Sequence, residues 1–238
     1  MNAISEHTEF DYVIVGAGSS GAVLANRLSA DPQVSVCLIE AGPEDRSPFI
    51  SVPLGLIKLS KDKRHNWLFN TTPQRGLGGR RVSVPRGKVL GGSSSMNGMI
   101  YIRGHKADYH GWAAMGCDGW DYASVLPYFK RSEANTDAEL SDAFHGRDGL
   151  LSVSPLRDPN PMDRAFVEAA GHLQMRRCAD FNIDQPDGVG VYQVTQKNGR
   201  RHSGAAAFLD PVRTRPNLTV LTRAEVSCVT FDGTRATG

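Results

Sequence analysis

The chain has 238 residues, a formal net charge of +2 and 40% hydrophobic residues. That is one sizeable domain or two small ones of ordinary globular composition, with enough apolar side chains for a core. Near-neutral charge gives no reason to expect a nucleic-acid partner, and no apolar run is long enough to span a bilayer. The polar start, Met1 to Glu9, lacks the apolar centre of a signal peptide. The four cysteines, Cys37, Cys117, Cys178 and Cys228, show neither C-x-x-C pairing nor zinc spacing, so no metal is expected. Cys37 and Cys228 lie in strand-like runs, which predicts buried thiols and fits a reducing cytoplasm.

The first predicted element is Tyr12 to Val15, an apolar run suited to a strand buried on both faces. It leads into Gly16-Ala17-Gly18-Ser19-Ser20-Gly21, the spacing G-x-G-x-x-G. A helix follows, with Val23, Leu24 and Leu28 near helical spacing, halted by Asp31-Pro32. A second strand runs from Val34 to Ile39 and ends on Glu40-Ala41-Gly42. Strand, tight turn, helix and strand make one βαβ unit that binds a dinucleotide. Gly16 permits the turn, Gly18 lets backbone approach a pyrophosphate, and Gly21 lets the helix pack close to the strand. The helix start attracts the diphosphate. Glu40 accepts bonds from a ribose diol and disfavours a 2′-phosphate, which makes NADP the least suited ligand. The motif alone does not separate NAD from FAD, although its place so near the start points to FAD.

From Pro43 to Pro85 the composition is that of loops. The basic run Lys58 to Arg64 reads as a solvated surface, and Gly76 to Gly79 as a flexible turn without a phosphate role. The second informative stretch runs from Pro85-Arg-Gly87 through Gly91-Gly92-Ser93-Ser94-Ser95-Met96-Asn97 to Gly104. Its glycines expose backbone N–H groups and its serines add hydroxyl donors, a loop able to cradle phosphate or line a polar ring edge.

In these residues the chain resembles the GMC (glucose–methanol–choline) flavin oxidoreductases. The family's first signature covers Gly87, Gly91, Gly92, Ser93, Ser94, Asn97, Tyr101 and Gly104, and ends at position 110. His110 stands there in place of the usual aspartate. Resemblance extends from Asp11 through His145-Gly146 and Asp148-Gly149 to Gly238, and is strongest towards bacterial membrane-associated alcohol dehydrogenases, with choline dehydrogenases close by. It implies FAD as cofactor, held by Gly16, Ala17, Gly18, Ser19, Ser20, Gly21, Glu40 and Ala41. Carried over by motif position, Val89, Gly91, Gly92 and Ser93, with Asn97, Gly98, Met99 and Ile100, contact the diphosphate–flavin region. The Val226 backbone meets the adenine. Some family oxidases link FAD covalently through a histidine just before that asparagine. Met96 stands there in this chain, so non-covalent FAD is expected.

Further along, helices are predicted at Asp121 to Glu133 and Met162 to Leu173, and a loop then strand over His145 to Ser154. A strand is predicted over Val189 to Lys197, with Asn198-Gly199 as a hairpin turn. Ser203 caps a short helix through Leu209. Leu218 to Thr222 and Val226 to Phe231 are predicted strands, followed by a turn at Asp232-Gly233. The expected fold class is α/β. A Rossmann-like FAD-binding domain begins with the βαβ unit, and a second, mainly antiparallel α+β substrate domain starts after it. Residues 1–155 would form the first part of the FAD domain, 156–217 the start of the substrate domain, and 218–238 the return to the FAD domain.

The resemblance implies oxidation of an alcohol to an aldehyde by hydride transfer to flavin N5. The partners are then a small-molecule alcohol and an electron acceptor such as a quinone rather than oxygen. Choline oxidation to betaine aldehyde is the alternative, and a non-catalytic flavin-binding module is the alternative of another class. Family members are more than twice this length and keep their catalytic base in a C-terminal His-Pro-x-Gly-Thr context. None of the seven histidines here has that context, so no catalytic residue is assigned and the chain reads as an N-terminal portion. A cytoplasmic location is expected, with peripheral attachment to the inner face of the membrane left open.

Overall fold

The computed structural model describes residues 8–238, so most of the polar start, His7 included, lies outside the described residues. Two compact units emerge. One combines the described residues up to Gly98 with Ser203–Gly238, and the other is Met99–His202.

The first unit is built on a three-stranded parallel sheet. Strand β1 (Tyr12–Val15) leads through helix α1 (Ser19–Leu28) to strand β2 (Val36–Glu40), and the strand Leu218–Thr222 pairs with the far side of β2. Ile14 lies opposite Leu38, which lies opposite Val220. Val36 and Leu38 on central β2 are fully buried. Among the described residues β1 lies at the sheet edge and is not buried on both faces. Ile14 is buried, but Tyr12, Val13 and Val15 are 49%, 56% and 55% exposed, and among the described residues β1 has a ladder neighbour on one side only.

Helix α1 buries Gly21, Ala22, Ala25 and Asn26, while Leu24 is exposed, so the expected Val23–Leu24–Leu28 stripe is not its packed face. The cause is a π-helical turn, Ala205–Leu209, that lies against the helix. Asn26 Nδ2 donates to the Phe208 carbonyl at 2.7 Å. A Cβ on Gly204 would come within 3.4 Å of Ser19 Cα. Small side chains permit backbones to approach this closely; leucine does not.

Residues 43–85 form short helices at Pro48–Ser51 and Leu56–Leu59, then a small antiparallel pair, Phe69–Asn70 with Ser83–Val84. After Thr222 the chain leaves the sheet. Arg223 N donates to the Gly42 carbonyl (2.8 Å) and Ala224 N to the Glu40 carbonyl (3.0 Å). The chain is thereby drawn across the end of β2, and the strand expected over Val226 to Phe231 does not form. Only Phe231–Asp232 pairs, with Arg235–Ala236, around Gly233. Cys228 is accordingly exposed, against expectation, whereas Cys37 on β2 is buried.

The second unit holds helices Lys106–Ala114, Tyr122–Ser132 and Pro161–His172. Asp121 caps the second, accepting from Ser124 N at 3.2 Å. Ile100–Tyr101 pairs antiparallel with Gln193–Val194, and Glu133–Asn135 pairs parallel with Leu151–Val153. The predicted Asn198-Gly199 turn closes the hairpin Gln196–Lys197/Arg200–Arg201, both turn residues having positive φ. The expected strand from Val189 divides into these two short pairings.

Candidate functional site

The glycine turn between β1 and α1 is shaped by contacts a side chain would break. Gly16 has φ 92, which favours glycine. A Cβ on Gly21 would overlap the Gly16 carbonyl oxygen. Gly18 has open space in front of it and is the N-cap of α1, with no side-chain cap. Ala22 N donates to the Gly18 carbonyl (2.9 Å), so the N–H groups of Ser19, Ser20 and Gly21 precede the first intrahelical bond. Unshielded N–H groups at the positive end of a helix dipole suit an anion.

The second glycine stretch lies directly against this turn. Gly91 N donates to the Ala17 carbonyl at 2.7 Å, and a Cβ on Gly92 (φ 55) would stand 2.7 Å from Gly18 Cα. Gly42 meets the backbone of Lys88 and Val89, again leaving no room for a Cβ. The serines hold the loop in shape. Ser94 Oγ donates to the Gly91 carbonyl (2.6 Å) and accepts from Gly204 N (2.8 Å). Ser95 Oγ donates to the Leu90 carbonyl (2.7 Å), and Ser93 Oγ accepts from Gly87 N (3.1 Å). The Ser94 and Ser95 hydroxyl protons are thus used within the protein. From sequence Ser203–Leu209 is a short capped helix with no part in the site, yet it props both glycine stretches. Its run of small residues, Ser203-Gly204-Ala205-Ala206-Ala207, is the signal that marks it.

Glu40 is 5% exposed. Its Oε2 accepts from Ala17 N (2.9 Å) and its Oε1 from Gly42 N (2.8 Å). Two backbone donors fix the carboxylate, and each oxygen keeps a second acceptor direction for a diol. Ala41, beside it, is half-buried, as is Val226, which follows the segment anchored at the end of β2. These groups lie at the carboxyl ends of parallel strands, where open α/β sheets bind ligands. Glu40→Gln places an amide N–H₂ against a backbone N–H. Loss of a charged acceptor contributes roughly 1.5–3 kcal/mol, so FAD affinity should fall about tenfold or more and the melting temperature should drop with it. Titration of the apoprotein checks this, and unchanged affinity would remove Glu40 from the site.

Ser19, Ser20, Ser93, Asn97 and Gly98 are exposed, while Val89 is buried. Met96 packs with Ile50, Leu59 and Val89 in an apolar cluster. Met99 and Ile100 belong to the second unit, Met99 buried with φ 63 and Ile100 exposed.

The second unit also contains a buried charged chain. Arg103 donates to Glu133 (2.6 Å), and the His145 ring lies 2.8 Å from both Glu133 Oε1 and Asp180 Oδ2. Burial alone pushes His145 down, but hydrogen bonds to Asp180 and Glu133 outweigh it and raise the imidazole to about 9. Burial likewise pushes Glu133 and Asp180 up, and the bonds from His145 reverse this and leave both carboxyls lowered. His145 is thus a closed-in imidazolium with both nitrogens engaged, unsuited to act as a base. Among the other histidines, His65 bonds Asp62, His105 caps a helix and His202 Nδ1 accepts from Ser152 N. His110 is exposed on a helix.

The family profile of the GMC oxidoreductases matches residues 10–238. The chain belongs to the GMC oxidoreductase family. It is 50% identical over 229 residues to the alcohol dehydrogenase [acceptor] of Pseudomonas putida, covering 96% of this chain and 41% of that protein. It is 43% identical to the mitochondrial choline dehydrogenase of Mus musculus, covering 97% of this chain and 39% of that one. The crystal structure of pyridoxine 4-oxidase from Mesorbium loti superimposes with a TM-score of 0.90 at 36% identity, over 96% of this chain and 45% of that one. The chain therefore spans about two fifths of the length of the curated relatives it matches. FAD is the cofactor of this GMC domain. The cradle fits it, with open backbone donors for a diphosphate and a fixed carboxylate for a ribose. Among the described residues, no helix is long and apolar enough to cross a membrane.

Proposed function

We propose that this chain forms the FAD-binding part of an enzyme that oxidises an alcohol to an aldehyde and passes the electrons to a quinone or another non-oxygen acceptor. The approach of Gly92 to Gly18 carries this reading, because it brings two distant motifs together where neither residue carries a side chain. In this reading Gly16–Gly21 and Gly91–Ser93 hold the diphosphate. Glu40, Ala41 and Val226 take the adenosine, and Val89 with Asn97–Ile100 lines the flavin. When bound, FAD supplies the hydride acceptor at flavin N5. This chain's own part is to bind, orient and shield that group, and the base that takes the hydroxyl proton comes from outside the described residues. The functional division stays at 1–155 and 218–238 for FAD and 156–217 for substrate. A cytoplasmic protein, peripheral on the membrane where it meets its acceptor, fits this chemistry.

Higher identity to the alcohol dehydrogenase than to the choline dehydrogenase favours a neutral alcohol over choline. The test is to load the protein with FAD and compare an aliphatic alcohol with choline, using an artificial acceptor. The 238-residue chain should bind FAD yet show no turnover above free FAD, since loss of a positioned base costs about 10²–10⁴-fold. The longer enzyme should turn over the alcohol. Turnover of choline alone would favour the choline reading, and turnover of neither a non-catalytic flavin module. Met96 packs in the apolar cluster and stands where a linking histidine would be, so acid precipitation should release all the yellow colour to the supernatant.

A further inference from the structure

Lys88 precedes Val89 in the second glycine stretch, and its backbone is fixed on both sides. Lys88 N donates to the His65 carbonyl (2.8 Å), and a Cβ on Gly42 would overlap the Lys88 carbonyl. Trp67 is tied to the same stretch, its N–H donating to the Arg86 carbonyl at 3.0 Å. From this base the Lys88 ammonium reaches two groups. Nζ stands 4.1 Å from the centre of the Trp67 ring and donates to Glu225 Oε2 at 3.0 Å. Glu225 follows Ala224, whose N–H donates to the Glu40 carbonyl (3.0 Å), so it leaves the end of β2 next to Glu40. From Ala224 to Thr230 the chain has no regular structure, so no strand ladder holds Glu225 and Val226. All of these residues belong to the first unit.

We infer that Lys88 is a positioning residue, whose ammonium, seated on Trp67, holds the Glu225–Val226 segment at the adenosine end of the FAD cradle. The inference rests on the FAD reading above, which puts the ribose on Glu40. An exposed ion pair alone is worth little. This one joins residues 137 positions apart, and the aromatic ring under the ammonium adds to it. The glycine turn keeps bonds of its own, from Ala17 N to Glu40 and from Gly91 N to the Ala17 carbonyl. The clasp therefore acts on the nucleoside end of the cradle.

The test compares wild type, Lys88→Ala, Lys88→Arg, Glu225→Gln, Lys88→Glu and the charge exchange Lys88→Glu/Glu225→Lys in the flavoprotein that contains this chain. Apoproteins are titrated with FAD and with ADP, which carries the adenosine and diphosphate without the flavin, and the visible band of bound FAD is recorded. Lys88→Ala should weaken FAD and ADP alike, by about threefold to tenfold, with the flavin band as in wild type. Lys88→Arg keeps the charge and the ring contact and should match wild type. Glu225→Gln removes the pair from its exposed side, and should weaken both ligands even if the alanine variant does not fold. The charge exchange should recover part of what Lys88→Glu loses. Wild-type affinity for both ligands in Lys88→Ala and Glu225→Gln would overturn the inference, as would a charge exchange no better than Lys88→Glu. An altered flavin band in Lys88→Ala would overturn it too, since the lysine would then be holding the whole cradle. If wild type bound neither FAD nor ADP, the FAD reading would fail and the inference with it, whereas wild-type binding left intact by both single variants sinks the inference alone.

Discussion

Replacing Glu133 by alanine is expected to destabilise the second unit by about 3–5 kcal/mol, the usual cost of stranding buried charge. Glu133 is fully buried and answers two cations at once, Arg103 at 2.6 Å and His145 at 2.8 Å. It also accepts from Asn135 Nδ2 (2.7 Å) and Gly146 N (3.1 Å). Without it the buried Arg103 guanidinium loses the carboxylate it pairs with, and His145 keeps Asp180 alone. The same chain of charges predicts a pH profile. His145 is raised from 6.5 to about 9, so its contribution is fully present below pH 6.5 and is lost as the pH climbs through 9. That shift corresponds to on the order of 3 kcal/mol. Glu133 and Asp180 are lowered from 4.5 and 3.8, so their contribution is present above those values and is lost as the pH falls through the lowered ones. The network is therefore worth most between about pH 4.5 and 6.5. Denaturant melts from pH 5 to 10 should show stability falling on the alkaline side, and His145→Gln should flatten that fall. An unchanged melt in Glu133→Ala would sink the prediction.

Gly21→Ala is expected to abolish FAD binding, with affinity reduced about 100-fold or more, equivalent to roughly 3 kcal/mol. The added methyl would overlap the carbonyl oxygen of Gly16, and its neighbouring contacts are the Gly16 carbonyl carbon (3.1 Å) and Ile14 Cγ2 (3.4 Å). Two of these are backbone atoms, so no rotamer change relieves the overlap. The helix start must move off the strand, taking the orphan N–H groups of Ser19 and Ser20 away from the diphosphate. Gly111→Ala is the matched control. It lies in the Lys106–Ala114 helix with nothing within 4 Å of the new methyl, and should raise stability by up to about 1 kcal/mol without touching affinity. Isothermal titration of both apoproteins with FAD separates them. Wild-type affinity in Gly21→Ala would show that the turn does not hold the cofactor.

The βαβ unit was legible in the sequence because its determinants are local. The apolar run, the glycine spacing and Glu40 all lie within Tyr12–Glu40, one short unbroken stretch that closes on itself. The Asn198-Gly199 hairpin was legible for the same reason. Family membership followed from Gly87 to Gly104 read together with that unit. What only the tertiary structure decided involves partners distant along the chain. Burial of β1 and α1 depended on which elements cover them, so β1 lies at an edge and α1 packs through Ala22 and Ala25 onto Ala205–Leu209. The strand expected after Val226 gave way to bonds from Arg223 and Ala224 to the end of β2, which no local propensity encodes. His145 looked like any other histidine until Glu133, 12 positions before it, and Asp180, 35 after it, closed on its two nitrogens. Hydrogen bonds and desolvation act through space, and the sequence by itself carries only separation along the chain.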